Sequence, residues 1–263
     1  MKQPLFTLVY EDANIAAFNK SSGIAVCPDR WDDSKARLDR LAAEFLNIEK
    51  IYVVHRIDRD TSGLVIFAKN AETHKNLSGA FETGRIRKRY VAVVQGRPVW
   101  KETICDLPLV PDGNKQHHTI IDRYQGKKSL TRFCLLGNAG NYSVVEAIPE
   151  TGRTHQIRVH LASLGHSIVC DAIYGNTKPV FLSSIKNSWR GDREEERPLL
   201  GRLGLHAMEL TIPGYQNRDK PAETIISGNE EKNSLNLKAP LSRDMAALVK
   251  QMEKCIGSSF GIE

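Results

Sequence analysis

Residues 55–70 read HRIDRDTSGLVIFAKN, a polar cluster followed by an apolar run. The first nine residues, HRIDRDTSG, are the densest polar cluster of the chain and lie between the apolar stretches Ile51–Val54 and Leu64–Ala68. Apolar runs of this length predict strands. A polar loop that is held by strands at both ends keeps its side chains well positioned. The residues alone leave two interpretations open, a loop that carries chemistry and a solvated turn whose acids pair with Arg56 and Arg59.

The sequence N-terminal to this loop predicts two strands and a helix. Apolar residues alternate on both sides of a polar break at Glu11–Asn14, which predicts two short strands within residues 5–20. Apolar residues then recur at helical spacing from Leu38 to Phe45, and Asp33 or Ser34 is a suitable N-cap. We therefore expect a strand pair and then a helix before the polar loop.

The sequence C-terminal to the loop predicts short strands and a few helices. The predicted strands are Leu64–Ala68, Tyr90–Val94, Leu130–Leu136, Tyr142–Ile148 and Leu237–Pro240, and the predicted helices are Ala71–Glu82, closed by Gly84, Thr154–Leu164, and one that begins at Asp244. Two polar stretches, 186–197 and 214–234, carry runs of charge and little apolar periodicity, which predicts surface insertions. These elements indicate a mixed, largely antiparallel sheet with peripheral helices.

Composition and cysteine spacing exclude several classes of protein. A chain of 263 residues with 41% hydrophobic and 26% charged residues is neither a peptide hormone nor a disulfide miniprotein. No window approaches the roughly 18 apolar residues of a membrane span, and the start has acids where a signal peptide needs an apolar core, so we expect a cytoplasmic protein. The five cysteines are widely spaced and form no CxxC, which suggests neither a disulfide framework nor a zinc knuckle.

Charge gives the first indication of a partner. There are 37 basic and 31 acidic residues, a net charge of +6, which favours a polyanion, although many soluble proteins carry such a charge. The basic run Arg85–Arg89 leads directly into Tyr90. Such a run can hold a phosphate backbone while the aromatic ring stacks on an unpaired base. An exposed strand entry followed by a core tyrosine is an equally good interpretation of the same residues.

A second polar cluster, TGRTHQIRVH at 151–160, stands where a strand is expected to turn into a helix whose N-terminal amides favour an anion. His155 and His160 are five residues apart and so lie on different sides of that helix, which does not predict a zinc site. The chain contains no GxGxxG, GxxxxGK[ST], GxSxG or EF-hand motif. This removes the common nucleotide, phosphate, acyl-transfer and calcium interpretations.

Several strings, taken in order, resemble the RluA-type RNA pseudouridine synthases. They are HRIDRDTSGLVIFAKN at 55–70, KRYVAVVQG at 88–96, DLPL at 106–109, TGRTHQIRVHLASLGHSIVCDAIYG at 151–175, LGLHAMEL at 203–210 and LKAPLSRDM at 237–245. The likeness covers most of the chain. It implies an α+β pseudouridine synthase catalytic fold, a bent, mainly antiparallel mixed sheet with peripheral helices and a central RNA-binding cleft. We expect one such domain over 1–263, with its core at about 5–253 and no N-terminal S4 domain.

The resemblance also implies roles for individual residues. Asp58 in HRID matches the catalytic aspartate, Tyr90 in KRYVAVV matches the tyrosine that packs on the uracil, and Arg158 in HQIR matches the arginine that pairs with the aspartate. The expected substrate-binding residues are Ile157, which matches a residue lining the base pocket, Arg56 and His55, which match residues near the RNA and the loop scaffold, and the basic residues Arg87 and Lys88.

The implied reaction isomerises uridine to pseudouridine in ribosomal or transfer RNA, with the uridine flipped into the cleft. It requires no metal and no cofactor, and we expect a monomer without a membrane partner. One alternative is an RNA-binding or ribosome-assembly protein that has kept the fold and lost the reaction, and another is a metal-dependent hydrolase. The sequence departs from the family pattern at Ser21, Ser167 and Cys170, where proline, proline and glycine are usual, which concerns turn geometry more than activity.

Overall fold

The computed structural model describes residues 4–28, 36–116, 118–186, 188–215 and 234–262. The chain divides into two compact units. Unit 1 comprises Met1–Lys88 and Ala207–Pro240, and unit 2 comprises Arg89–His206 and Leu241–Glu263. The single catalytic domain expected over 1–263 stays a prediction.

The described residues form strands and helices in the following order. The strands are β1 (Phe6–Glu11), β2 (Ile15–Lys20), β3 (Tyr52–Val53), β4 (Ser62–Ala68), β5 (Arg87–Gln95), β6 (Glu102–Cys105), β7 (Leu109–Val110), β8 (Ile120–Ile121), β9 (Thr131–Ala139), β10 (Tyr142–Pro149), β11 (Leu205–Pro213) and β12 (Ser234–Lys238). The α-helices are α1 (Leu38–Phe45), α2 (Ala71–Glu82), α3 (Gln156–Ser163) and α4 (Arg243–Ile256), and a short 3-10 helix covers Leu182–Ser184.

Unit 1 is built around β4. This strand pairs antiparallel with β2 and with the short β3, while β1 pairs with β2 and β12 with β11. All seven residues of β4 are buried, which explains why its sequence is a continuous apolar run and does not alternate. Gly63 starts this run with φ +115°, and a Cβ there would collide with the backbone of Ala207. Only glycine fits that position, because it has no Cβ.

Unit 2 contains an antiparallel sheet in which β5 pairs with β10, β10 with β9, and β9 with β6. A separate two-stranded ribbon is formed by β7 and β8. Apolar residues of β5, β9, β10 and α3 pack into one core cluster, which includes Val94, Phe133, Val145 and Leu161. Helix α3 is therefore fixed to the sheet through its buried side chains.

The α+β fold class is confirmed, and most predicted elements are present with shifted ends. Helix α2 spans Ala71–Glu82 as predicted, with the Asn70 side chain as its N-cap and Gly84 at φ +70° after its end. The predicted cap of α1 is wrong, because the helix begins at Leu38 with Arg37 at the N-cap position, and Asp33 and Ser34 lie outside the described residues. The helix predicted over Thr154–Leu164 is shorter, at Gln156–Ser163, because His155 adopts a left-handed conformation.

The two predicted insertions differ in what the structure describes of them. Residues 186–197 contain turns and bends without a strand or helix, with residue 187 outside the described part. Most of 214–234 also lies outside it, and β12 begins at Ser234. No helix among the described residues has both the length and the apolar character needed to cross a membrane.

Candidate functional site

His55 fixes the start of the polar loop. Its Nε2 atom accepts a 2.9 Å hydrogen bond from the backbone N–H of Ile66, and its ring stacks on Phe81 at a centroid distance of 4.3 Å. Burial, with a smaller contribution from the positive charge of Lys88, lowers the pKa of His55 to about 3. The imidazole is therefore neutral at physiological pH, with its proton on Nδ1, and it supports the loop as a scaffold.

Asp58 stands at the partly exposed turn of the same loop. Ile57 is buried beside it, and the backbone carbonyl of Asp58 accepts a 3.1 Å hydrogen bond from the N–H of Thr61. Arg56, on the other side of Ile57, is exposed. The loop thus anchors one apolar side chain in the core while its charged neighbours remain accessible.

Lys20 binds this loop through its buried ammonium group, a role that the sequence did not predict. The side chain is fully buried, and its ammonium group donates hydrogen bonds of 2.9 Å to the carbonyls of Ser21, Ile24 and Arg59. The Arg59 side chain returns a hydrogen bond to the carbonyl of Gly23. A buried lysine with three carbonyl acceptors uses all its donors. Its position in NKSSG, beside the Ser21 departure, is the only sequence signal that marks it.

Strand β5 presents the basic run and Tyr90. Arg87 is exposed, whereas the next residue, Lys88, is only 8% exposed, because successive side chains of a strand point to opposite faces. Tyr90 lies opposite Ala147 of β10 and is partly buried against the apolar cluster that contains Ile157. The structure thus brings Tyr90 and Ile157 into one cluster, and it leaves Arg87 better placed than Lys88 to meet a phosphate.

Helix α3 is anchored by two buried polar side chains. Gln156 donates to the carbonyl of Leu130 and to Thr131 Oγ1, and its own carbonyl oxygen accepts from Thr151 Oγ1 and the Arg153 N–H. On the next turn, the His160 ring lies within hydrogen-bond distance of three atoms, namely Thr131 Oγ1, Ser129 Oγ and the Leu107 carbonyl oxygen. His155 instead lies with its Nδ1 atom 2.9 Å from the Tyr174 hydroxyl, so the two imidazoles do not converge on one site.

Arg158 is clamped by Asp171. The arginine Nε and Nη2 atoms donate hydrogen bonds of 2.8 Å each to Oδ2 and Oδ1 of the aspartate, and the two side chains are 4% and 0% exposed. The Tyr174 ring lies 5.3 Å from the guanidinium carbon. Burial by itself raises the pKa of Asp171, but the hydrogen bonds and charge of Arg158, with the N–H groups of Ile173 and Tyr174, bring this pKa below its usual value.

The sequence-predicted residues are divided between the two units. Unit 1 holds His55, Arg56, Asp58, Arg87 and Lys88, and unit 2 holds Tyr90, Ile157 and Arg158. The pairing of Arg158 with Asp58 stays a prediction, as do the contacts of these residues with RNA. Within the described ranges, no group of three or more His, Cys, Asp or Glu side chains is arranged to hold a metal ion.

Comparisons with known proteins agree with these features. Residues 14–163 match the family model described as RNA pseudouridylate synthase. The chain is 36% identical over 179 residues to the ribosomal large subunit pseudouridine synthase D of Zymomonas mobilis, covering 65% of this chain and 56% of that protein. It is 35% identical over 213 residues to the dual-specificity RNA pseudouridine synthase RluA of Vibrio cholerae, covering 80% of this chain and 78% of that protein.

The matches differ in how much of each relative they cover and in what they show about this chain. The chain spans little more than half the length of the synthases D that it matches, 56% in Zymomonas mobilis and 54% in Borreliella burgdorferi. Among solved structures, human RNA pseudouridylate synthase domain containing 4 superposes with a TM-score of 0.67 at 20% identity, covering 94% of this chain and 92% of that one. This structural likeness concerns the fold.

Proposed function

Because this chain belongs to the RNA pseudouridylate synthase family, and to its RluA type, we propose that it isomerises specific uridines of structured RNA to pseudouridine. The observation that carries the proposal is Asp58, the one carboxylate of the HRID motif, on a loop held by His55, Ile57 and Lys20. The relatives carry the names of synthases. This supports an enzyme over the alternative of an inactive RNA-binding protein.

The proposed reaction exchanges one glycosidic bond for another. The C1′–N1 bond breaks, the detached uracil turns, and C1′ bonds to C5. The C5 proton then leaves and N1 ends with a proton, so atoms and electrons balance without an outside reactant. In this proposal Asp58 attacks the ribose or the base, or removes a proton from the sugar.

Tyr90 and Ile157 are proposed to receive the uracil. A base in a stem must first leave the stack, which costs a few kcal/mol, and stacking on an aromatic ring recovers about 1–3 kcal/mol. Tyr90 is partly buried against the cluster that contains Ile157, so its ring is fixed before the base arrives. A fixed ring loses little conformational entropy on binding, which favours this role.

The proposed substrate class is ribosomal or transfer RNA. The net charge of +6 supports a polyanionic partner, and the exposed Arg87 at the start of β5 supports a phosphate contact there. We further propose that the enzyme acts as a cytoplasmic monomer without a metal or cofactor. Unchanged turnover in the presence of a chelator would distinguish this from the metal-dependent hydrolase.

The test measures tritium release from RNA made with 5-tritiated uridine, since bonding C5 to C1′ expels the C5 hydrogen. The parent protein should release label, and Asp58→Asn should lower the rate by at least about 10³-fold while RNA affinity stays close to the parent value. Asp60→Asn, two residues along the same loop and exposed, is the matched control and should keep substantial activity. Equal release from Asp58→Asn and the parent would contradict the assignment. Pseudouridine mapping of total RNA with and without the gene would identify the target.

A further inference from the structure

We propose that Asp171 is a positioning residue. It sets the plane of the Arg158 guanidinium and the edge at which this group can hold a second carboxylate. The inference rests on the proposed function, because it assigns the way in which Arg158 is held for that reaction. Its starting point is the buried fork between the two side chains, with two hydrogen bonds of 2.8 Å. The resemblance gives a role to Arg158 and none to Asp171.

The fork selects which edge of the guanidinium serves Asp171. The bonds use Nε and Nη2, which together form one side of the planar group. A second carboxylate can therefore be held through two parallel bonds only on the edge formed by Nη1 and Nη2. Asp171 in this way dictates the direction from which a second acidic group must approach Arg158. A lysine at position 158 could not reproduce this division, because an ammonium group has no edges.

Tyr174 supports the guanidinium from its face. The ring lies 5.3 Å from Arg158 Cζ, within the range of a cation–π contact. The phenol oxygen is held in turn, since it accepts a 2.9 Å bond from the Thr119 N–H and lies 2.9 Å from His155 Nδ1. Asp171 thus fixes one edge of the guanidinium through hydrogen bonds. The Tyr174 ring, which has fixed contacts of its own, packs against its face.

Asp171 is held by the backbone of its own turn as well as by Arg158. Its Oδ1 atom accepts hydrogen bonds from the N–H groups of Ile173 and Tyr174, at 2.9 and 3.1 Å, and its carbonyl accepts from Gly175 at 3.0 Å. The side chain is fully buried. A carboxylate held by its own turn cannot follow a moving arginine, so the aspartate positions the arginine and not the reverse.

Asp171→Asn is the variant that tests this role. The asparagine can keep Oδ1 as the acceptor for the turn, but it presents an NH₂ group to Arg158 Nε in place of Oδ2, and two donors then face each other. The single-turnover rate at saturating RNA should fall by about tenfold or more, with RNA affinity within about threefold of the parent value. Asp171→Glu, which keeps the charge and moves the carboxylate, should also slow the reaction.

Arg202 and Asp244 provide a matched control in the same unit. They form the same fork, with Nε and Nη2 of Arg202 donating to the two carboxylate oxygens at 2.7 and 2.8 Å, and Asp244 also accepts from the backbone N–H of Met245. Asp244→Asn therefore loses an equivalent ion pair at the start of α4, one that does not involve Arg158. It should lower the free energy of unfolding and leave the single-turnover rate of the folded protein near the parent value. A parent rate in folded Asp171→Asn or Asp171→Glu would overturn the proposal.

A double-mutant cycle tests whether Asp171 acts through Arg158. If it does, adding Asp171→Asn to Arg158→Lys should slow the reaction by less than about threefold beyond the slower single variant. If the rate reduction in the double variant equals the product of the two single reductions, Asp171 acts independently of Arg158, and the proposal is overturned.

A measurement that needs no activity separates this inference from the proposed function. The Nε–Hε proton of Arg158 should exchange slowly with water by ¹⁵N NMR in the parent and in Asp244→Asn, and faster in Asp171→Asn. Fast exchange in the parent would overturn the positioning role. Absence of tritium release from the parent on every RNA would instead contradict the proposed function, and the exchange rates would still decide the role of Asp171.

Discussion

His55 Nε2 accepts a 2.9 Å hydrogen bond from the backbone N–H of Ile66, and this bond joins the loop that carries Asp58 to the middle of β4. Strand β3 pairs with β4 only through Tyr52 and Val53. The imidazole continues the pairing beyond the end of β3 by supplying an acceptor from a side chain. The loop is thereby fixed at its first residue, three positions before the proposed catalytic carboxylate.

The low pKa of His55 predicts a loss of stability in acid. The folded-state pKa is about 3 against 6.5 for an ordinary histidine, so between these values the unfolded chain binds a proton that the folded protein does not. Stability attributable to His55 is therefore complete above pH 6.5 and falls as pH decreases toward 3, by up to about 1.4 kcal/mol per pH unit. Urea unfolding of the parent and of His55→Gln across this range isolates the effect, because other titrating groups are common to both. Parallel pH profiles would contradict a neutral, buried His55.

Replacing Lys20 should destabilise the protein. Lys20→Met leaves the carbonyls of Ser21, Ile24 and Arg59 without their shared donor, which should cost about 2–4 kcal/mol of unfolding free energy. Lys69→Met is the comparison, since Lys69 is partly exposed and makes one ion pair with Glu11 and one hydrogen bond to the Asp12 carbonyl, whose loss should cost only about 1–2 kcal/mol. Urea titrations measure both costs. A loss for Lys20→Met no larger than that for Lys69→Met would show that the loop does not depend on the buried ammonium.

Tyr90→Phe separates stacking from proton transfer. The ring alone suffices to stack on a base, but a proton must leave C5 after the new bond forms, and the Tyr90 phenol is the group proposed to help remove it. We therefore expect Tyr90→Phe to bind RNA normally and to complete the reaction about 10-fold to 100-fold more slowly. With 5-deuterated uridine, single-turnover kinetics should show a primary isotope effect that appears or grows in this variant. Tyr90→Leu should be slower still, and parent-like rates without an isotope effect in Tyr90→Phe would leave stacking as the whole role.

Reversing the charge of Arg87 should weaken RNA binding with little effect on chemistry. Arg87 is exposed at the start of β5, so Arg87→Glu should flatten the salt dependence of log Kd by about one unit of slope per lost phosphate contact. Lys254→Glu makes the same charge change at an exposed site on α4, a helix that carries none of the residues proposed to contact RNA. Filter binding at several salt concentrations gives both slopes. Equal slopes for the two variants would move the RNA surface away from β5.

The family and most of the regular structure could be predicted from the amino-acid sequence. The run Leu64–Ala68 predicted β4 because a continuous apolar stretch of that length suits a strand buried on both faces, and β4 is fully buried. Helix α2 was also predictable, because Asn70 is an N-cap residue type and Gly84 a typical helix stop, and these signals are local. Asp58, Tyr90 and Arg158 stay predictions as site residues, made because the strings around them are long enough to be specific.

Cys170 shows where sequence and structure together explain a departure. The family pattern has glycine there, and this chain places cysteine at φ +57°, in the left-handed region. The side chain is buried and its thiol lies 3.3 Å from the Lys178 carbonyl. The turn before Asp171 therefore keeps the conformation that glycine favours, held in place by contacts of the cysteine that replaces it.

The contacts that hold the individual side chains could not be predicted from the sequence and depend on the folded chain. Lys20 and Arg59 are 39 residues apart, and Arg158 and Asp171 are separated by the end of a helix and a turn, so no periodicity links either pair. The burial of Lys88 beside the exposed Arg87 depends on the orientation of β5 relative to the core. Local propensities set helices and strands within a few residues, whereas the desolvation of a charge and the choice of its partner depend on distant segments that meet only when the chain is folded.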